Sequence, residues 1–306
     1  MFIEVILVGK KKFTESKISQ IYFSFYIQFL PKSITFEGML EAQNLEKICH
    51  SSITIVKEAG RFISSQIGKV TAVDIIAKEK NSLVSYVDIE TEKILVNGLK
   101  DLVPNANFIT EENTVTKTQQ QSDWNWIIDP LDGTTNFLKG IPVFCISVGL
   151  SYRDEVCLGI IYDINRDECF YAWKGGGAFL NDQKIKVSQV SQIEESVVAT
   201  GFPYSNLQEG LIDLLDQILQ KARGVRRLGS AALDLAYTAC GRFDSYYELR
   251  INAWDIAAGI ILVQEAGGRV SDIHGNANPL YSANILSSNG ITHDEFLKLI
   301  ENVKKF

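Results

Sequence analysis

Apolar positions along the chain become regular from about residue 41. Leu45, Ile48, Cys49, Ser52, Ile55, Val56, Ala59, Phe62 and Ile63 recur at the spacing of one helix face and predict an amphipathic helix to about Ile67. A second helix is expected from Asp88, as its N-cap, to Leu102, with Pro104 stopping it. Phe108-Ile109-Thr110 and Trp124–Ile128 are short strand candidates. Three β-type runs follow at Val143–Tyr152, Val156–Tyr162 and Glu168–Trp173. Polar turns separate them, as in an antiparallel meander.

Beyond Gly175-Gly176-Gly177 the pattern alternates. Strands at Ser196–Thr200, near Val225 and at Asp244–Leu249 precede helices at Leu207–Lys221, Ser230–Cys240 and Trp254–Ala266, the last ending on Gly267-Gly268, a natural C-cap. A strand at Asn284–Ser288 and a helix at His293–Val303 finish the chain. A meander followed by alternating units predicts an α+β body of stacked layers, with any internal boundary near Gln183–Glu195.

Composition narrows the function more than the fold. The formal charge of the 306 residues is −7, and residues 1–38 hold five lysines against three glutamates, so the remainder carries −9. Such a body lacks the phosphate-neutralising lysines and arginines of a general nucleic-acid binder. Phosphate stays a candidate ligand if acidic groups hold divalent cations, because the ion then reverses the local sign. The five cysteines form no CxxC pair, which argues against structural zinc and for buried free thiols in a reducing cytoplasm. His50, His274 and His293 are too scattered to nominate a catalytic base.

The apolar run Ile21–Leu30 is too short to span a bilayer as a helix, and no small-residue cleavage site follows it. A docked strand, a loose extension, or translation starting at Met39 all fit residues 1–38.

The densest site signal is Asp129-Pro130-Leu131-Asp132-Gly133-Thr134-Thr135. An apolar strand ends on one aspartate, a Pro-fixed turn brings a second carboxylate, and Gly-Thr-Thr opens a helix or tight turn. Two hard oxygen ligands then lie beside free backbone N–H groups, a combination suited to Mg²⁺ and phosphate. The same run also reads as an Asx-type turn with Asp132 as an ordinary cap. Glu111-Glu112 follows a strand, and Asp255 opens a late helix. Alone, the first reads as a solvated acidic pair and the second as a cap. Carboxylates from three distant segments meeting in one cleft would instead make a two-metal hydrolytic site.

Asp129–Asn136 resembles the first signature of the inositol monophosphatase family, within the lithium-sensitive sugar-phosphatase superfamily. Trp254–Gly259, running on to Gly268, resembles its second signature. Phe108–Glu112 is similar to the family's metal-binding loop, and Gly177–Lys184 and Arg226–Leu235 match further family segments, the latter in a bacterial style. The likeness spans about residues 41 to 303. It implies a layered αβαβα sandwich of the inositol monophosphatase / fructose-1,6-bisphosphatase type over residues 39–306, with a metal-binding α+β half (39–185) and an α/β half (186–306).

The resemblance also implies roles. Glu111, Asp129 and the Leu131 carbonyl would hold one Mg²⁺; Asp129, Asp132 and Asp255 would hold a second; Glu111 would help a weaker third. Thr134 would polarise the attacking water and Asp88 would orient Thr134. Gly133 and Thr134 N–H groups would hold the phosphate, while Asp132, Ala231, Glu248 and Asp255 would line the substrate site. A homodimer acting on a small phosphorylated metabolite, without membrane or nucleic acid, is the matching expectation.

Charge neutralisation and placement of a water are what hydrolysis of a phosphate monoester dianion needs, and an acid-only site supplies both through its cations. Gly175-Gly176-Gly177 lacks the P-loop pattern. Lys78-Glu79-Lys80 reads as a loop near the third ion or as a solvated charge run, and Arg226-Arg227 as substrate-facing, partner-facing or surface charge. Myo-inositol 1-phosphate heads the candidate substrates. Enzymes of the superfamily acting on 3'-phosphoadenosine 5'-phosphate usually carry Lys-Glu where this chain has Thr135-Asn136. Fructose 1,6-bisphosphate, histidinol phosphate and a regulatory protein-binding role are the alternatives.

Overall fold

The computed structural model describes residues 36–71, 74–79, 82–114, 122–202 and 210–303. Readings of residues 1–35, of Lys80 and of a helix start at Leu207 lie outside the described residues. Residues 44–306 group as one compact unit.

Two sheets organise it. The first runs β3 (Asn107–Thr110), β4 (Trp124–Asp132), β5 (Cys145–Tyr152), β6 (Glu155–Asp163), β7 (Glu168–Trp173), β8 (Gly177–Leu180) and β9 (Gln183–Lys184), hydrogen-bonded in that order. Only β3 and β4 pair parallel; the rest is the expected meander. The second has the order β11 (Gly224–Arg226), β10 (Val197–Thr200), β12 (Ser245–Leu249), β14 (Asn284–Ser288), β13 (Arg269–Ser271). A separate hairpin joins β1 (Ile75–Glu79) to β2 (Ser82–Ser85), so Lys78 and Glu79 lie on a strand and not in a loop.

Alternation of side chains sorts the sheets into layers. On β6 and β7, Leu158, Ile160, Tyr162, Cys169, Tyr171 and Trp173 pack toward α1 (Phe36–Gln66) and α2 (Tyr86–Leu99), with Cys49, Val56, Leu95 and Leu99. Their opposite neighbours Ile161, Phe170 and Ala172 join Leu233, Leu235, Ile256 and Ile260 of α5 (Ala231–Ala239) and α6 (Ala253–Glu265). The outer face of the second sheet buries Val198, Tyr247 and Leu286 against α4 (Leu211–Lys221) and α7 (His293–Glu301). The stack is helix, sheet, helix, sheet, helix, as the α+β sandwich requires. A sheet buried on both faces explains why β4 to β7 read as nearly continuous apolar runs.

Close layering needs small residues. A Cβ on Gly149 would come within 2.8 Å of the Ala257 Cβ, so β5 carries no side chain where α6 crosses it. All five cysteines are free and four are buried. Among the described residues, no helix is long and apolar enough to cross a membrane.

The expected bounds of α2 are corrected as well. Asp88 is not the cap of α2: Ser85 is, its hydroxyl accepting from Val87 N at 3.2 Å. Asp88 stands at the third helical position and reaches back to Ser85 N (2.8 Å) and Ser85 Oγ (2.7 Å), completing a capping box. The helix also ends at Leu99, with Lys100 as its C-cap, before Pro104 is reached.

Candidate active site

Strand β4 does not stop at Asp129 but continues to Asp132 through an irregularity. Asp129 pairs with Ser147 and Asp132 with Cys145, so three residues on β4 span two on β5. That is a bulge of one residue. Ser147 and Cys145, two apart, lie on the same face of β5. The extra residue therefore brings Asp129 and Asp132, which simple alternation would separate, onto one face.

The chain then turns at Gly133, whose φ of 95° is left-handed and whose missing Cβ would stand 2.9 Å from the Val143 carbonyl. Thr134 opens the short helix α3 (Thr134–Lys139), and Gly133 supplies no side chain to cap it. The first-turn amides of a helix have no intrahelical acceptor, and here they follow directly on the two aspartates. Thr134 Oγ1 lies 2.8 Å from Asp88 Oδ1 and 3.0 Å from the Leu131 carbonyl.

Two other elements bring acids to the same place. Glu111 follows β3, its amide bonded to the Ile128 carbonyl at 3.2 Å, which extends the β3–β4 pairing by one residue. Asp255 stands at the third position of α6 and reaches back to Asn252 N at 2.8 Å, as Asp88 does on α2. The capping reading of Asp255 is thus correct for one oxygen only.

The charges of these groups act on one another. Burial, then Glu111, Asp132 and Asp255, push the Asp129 carboxyl well above the ordinary aspartate range. Asp255 is pushed up by burial and by Asp132, Glu111 and Glu248. Asp132 is raised to about 6, chiefly by burial, against hydrogen bonds that favour its ionised form. Those bonds come from Ser230 Oγ and Ala232 N, both at 2.7 Å from Asp132 Oδ2, and the Ala231 amide also lowers it. Cys145 Sγ approaches the same oxygen at 3.8 Å.

Glu248 is raised to about 7 by burial, opposed by Tyr246 Oη at 2.6 Å and by the Arg227 charge. The Arg227 guanidinium lies beside Gly229, and its charge opposes the rise that burial gives Asp234. Arg226 instead folds its guanidinium onto the Val225 carbonyl at 3.0 Å.

The donor set fits Mg²⁺. It consists of carboxylates plus the Leu131 carbonyl, hard oxygens without an imidazole among them, and mutually raised acids are what a divalent cation would neutralise. Asp129, Asp132 and Asp255 each spend one oxygen on a protein donor, Leu131 N holding Asp129 Oδ1 at 2.9 Å. Among the described residues, no three acidic, histidine or cysteine side chains stand in ready-made metal-holding geometry.

Contacts and charges link the site residues expected from the sequence: Thr134 bonds Asp88 and Leu131, Asp129 feels Glu111, Asp132 and Asp255, Asp132 bonds the start of the Ala231 helix, and Glu248 feels Asp132. Sequence reasoning missed Ser230 as the hydroxyl that pins Asp132, since 98 residues separate them. It also missed Glu92, which is buried and binds the loop carrying Glu111 through the Glu112 amide at 2.8 Å.

Comparison with known proteins places the family. Residues 44–305 match the profile of the Inositol monophosphatase family. An inositol-1-monophosphatase of Mesorhizobium japonicum is 38% identical over 249 residues, covering 80% of this chain and 92% of that protein. A fructose-1,6-bisphosphatase/inositol-1-monophosphatase of Thermotoga maritima is 38% identical over 82% of this chain and 95% of its own. The extragenic suppressor protein suhB of Bartonella henselae superposes with a TM-score of 0.79 at 36% identity, covering 82% of this chain and 97% of that one. The chain belongs to the inositol monophosphatase family.

Proposed function

We propose that the protein is a Mg²⁺-dependent phosphomonoesterase of small polyol phosphates, with myo-inositol 1-phosphate as its leading substrate. The observation that carries the reading is the meeting of Glu111, Asp129, Asp132 and Asp255, from three separate parts of the chain, beside the Thr134–Asp88 hydrogen bond.

Glu111, Asp129 and the Leu131 carbonyl would hold one cation, Asp129, Asp132 and Asp255 a second, and Glu111 would help a third. Bound Mg²⁺ would neutralise the phosphate dianion and make water acidic enough to attack. Thr134 orients that water: its hydroxyl donates to Asp88 and so offers a lone pair to the water's hydrogen. The amides of Gly133 and Thr134 receive phosphate oxygens. Attack by the water oxygen forms a P–O bond as the ester P–O bond breaks, and the water's proton ends on the departing alkoxide. Asp132, Ala231 and Glu248 face the polyol hydroxyls. A homodimer in the cytoplasm accompanies this reading.

Fructose 1,6-bisphosphate is the second candidate, favoured by Arg227. Its guanidinium lies beside Gly229, next to the Ser230–Ala231 segment that meets Asp132, and would receive a second phosphate on the substrate.

Phosphate release from inositol 1-phosphate and from fructose 1,6-bisphosphate, with Mg²⁺ and with EDTA, tests the reading. Release with Mg²⁺, lost in EDTA and in Asp129→Asn, is expected. Purified folded protein silent with every phosphomonoester would sink it.

A further inference from the structure

Helix α2 carries a second buried acidic side chain one turn beyond Asp88. Glu92 is fully buried, and among the described residues no lysine or arginine pairs with it. Instead it is saturated by donors from one loop. Its Oε1 accepts from Thr110 Oγ1 (2.9 Å), Thr114 N (2.7 Å) and Thr114 Oγ1 (2.7 Å), and its Oε2 accepts from Glu112 N (2.8 Å). Four bonds to one buried carboxyl group are a large investment in a five-residue turn, since a buried acceptor left unpaired is costly.

The turn they fix is the one carrying Glu111. Thr110 and Glu112 flank it on either side, both tied to Glu92, and its own amide is tied to the Ile128 carbonyl. Asn113 completes the turn in the left-handed region at φ 51°, its side-chain amide donating to the Glu111 carbonyl at 3.2 Å. The backbone that carries the Glu111 side chain is therefore held by contacts of its neighbours.

We propose that Glu92 is a positioning residue for cation binding: it holds the 110–114 turn so that Glu111 points at the cluster around Asp129. Asp88 and Glu92 are four apart on one helix face. The same rigid face of α2 thus holds Thr134 through Asp88 and Glu111 through Glu92, which fixes the water-orienting hydroxyl and the outer carboxylate in one frame. The inference rests on Glu111 being a cation ligand.

Glu92→Gln tests it. A glutamine amide keeps the volume but replaces one acceptor oxygen with a donor NH₂, which must face N–H or O–H groups at one end of the turn. Mg²⁺ titrated calorimetrically into the metal-free protein should bind about tenfold more weakly, the scale on which partners of metal ligands act. Hydrogen exchange at the Glu112 and Thr114 amides should accelerate, and kcat at saturating Mg²⁺ should stay within about threefold of wild type. Thr114→Ala, which removes one of the three donors to Oε1, is the milder variant should Glu92→Gln fail to fold. It should shift Mg²⁺ affinity in the same direction by about twofold to threefold.

Unchanged Mg²⁺ affinity in a variant whose turn amides exchange faster would overturn the inference and leave Glu92 a stabilising group alone. Wild-type protein that binds no Mg²⁺ would overturn the ligand reading of Glu111 and the inference with it.

Discussion

Thr134 Oγ1 and Asp88 Oδ1 stand 2.8 Å apart although 46 residues separate them. Asp88 is buried, and its other oxygen is fixed by Ser85 N and Ser85 Oγ, so the carboxylate cannot swing away. Burial raises the Asp88 pKa, while the bonds from Ser85 and Thr134 oppose that rise. Thr134→Ala should lower kcat about 10²–10³-fold, the range for losing a positioned proton-handling group, with Mg²⁺ affinity changed far less. Thr134→Ser keeps the hydroxyl and should retain most of the activity. Steady-state kinetics of both variants decide it: a serine variant as poor as alanine would show that the methyl, not the hydroxyl, matters.

Cation binding should release protons. In the metal-free protein Asp129 and Asp255 lie well above the ordinary aspartate range and Asp132 lies at about 6, each first through burial and then through the other acids. A cation needs them ionised, so protons must leave as it arrives. Affinity for Mg²⁺ should therefore rise with pH from about 5 to 8. Calorimetry in two buffers of different ionisation enthalpy should show net proton release near pH 6. A pH-independent affinity with no proton release would contradict the shared burial of these acids.

The local logic of this site was legible in the sequence, its long-range supports were not. Asp129 and Asp132 stood out because a strand, Pro130 and Gly133 are near neighbours. The bulge that puts both on one face was not visible, because it depends on register against β5. Asp88 was read as a cap when it is the third residue of a capping box: Ser85-Tyr86-Val87-Asp88 carries the pattern, but the preceding β2 was missed. The β1–β2 hairpin, β8, β9 and β13 are five residues or fewer, which leaves alternation little room to register, although the equally short β3, β10 and β11 are legible. Ser230 on Asp132 and Glu92 on Thr110 are contacts across 98 and 18 residues, which spacing cannot announce.

His293 should make stability fall in mild acid. Its ring is buried, Nε2 at 2.9 Å from Ser271 Oγ and Nδ1 at 2.8 Å from Ser288 Oγ. Ser271 Oγ donates to the Asp272 carbonyl at 2.7 Å, so it accepts from Nε2–H, and Nδ1 accepts from Ser288. Burial, then Arg269, lower the pKa from 6.5 to about 4. The unfolded chain thus binds a proton below pH 6.5 that the folded chain refuses until about 4. Stability from this group is full above 6.5 and is lost as pH falls through that window. Once solvent screening is allowed for, the loss is on the order of 2 kcal/mol. Urea melts from pH 7.5 to 4 should show a smaller loss for His293→Gln than for wild type; parallel curves would refute the assignment.

Gly201 controls the place of Glu248, the residue proposed to read the substrate's hydroxyls. Any Cβ there would run into the Glu248 carboxylate, so the acid lies directly against the glycine backbone. Tyr246 Oη holds Glu248 Oε2 at 2.6 Å, so the side chain cannot yield without giving up that bond. Gly201→Ala should therefore turn the Glu248 carboxylate out of place while leaving Glu111, Asp129, Asp132, Asp255 and Thr134 untouched. The two kinds of substrate then separate: kcat/KM for inositol 1-phosphate should fall about tenfold, the scale of one substrate hydrogen bond, while that for phenyl phosphate, which has no hydroxyls to read, should change less than about twofold. Equal falls on both esters would mean that the added methyl disturbs the phosphate end, and Glu248 would lose its role in reading the polyol.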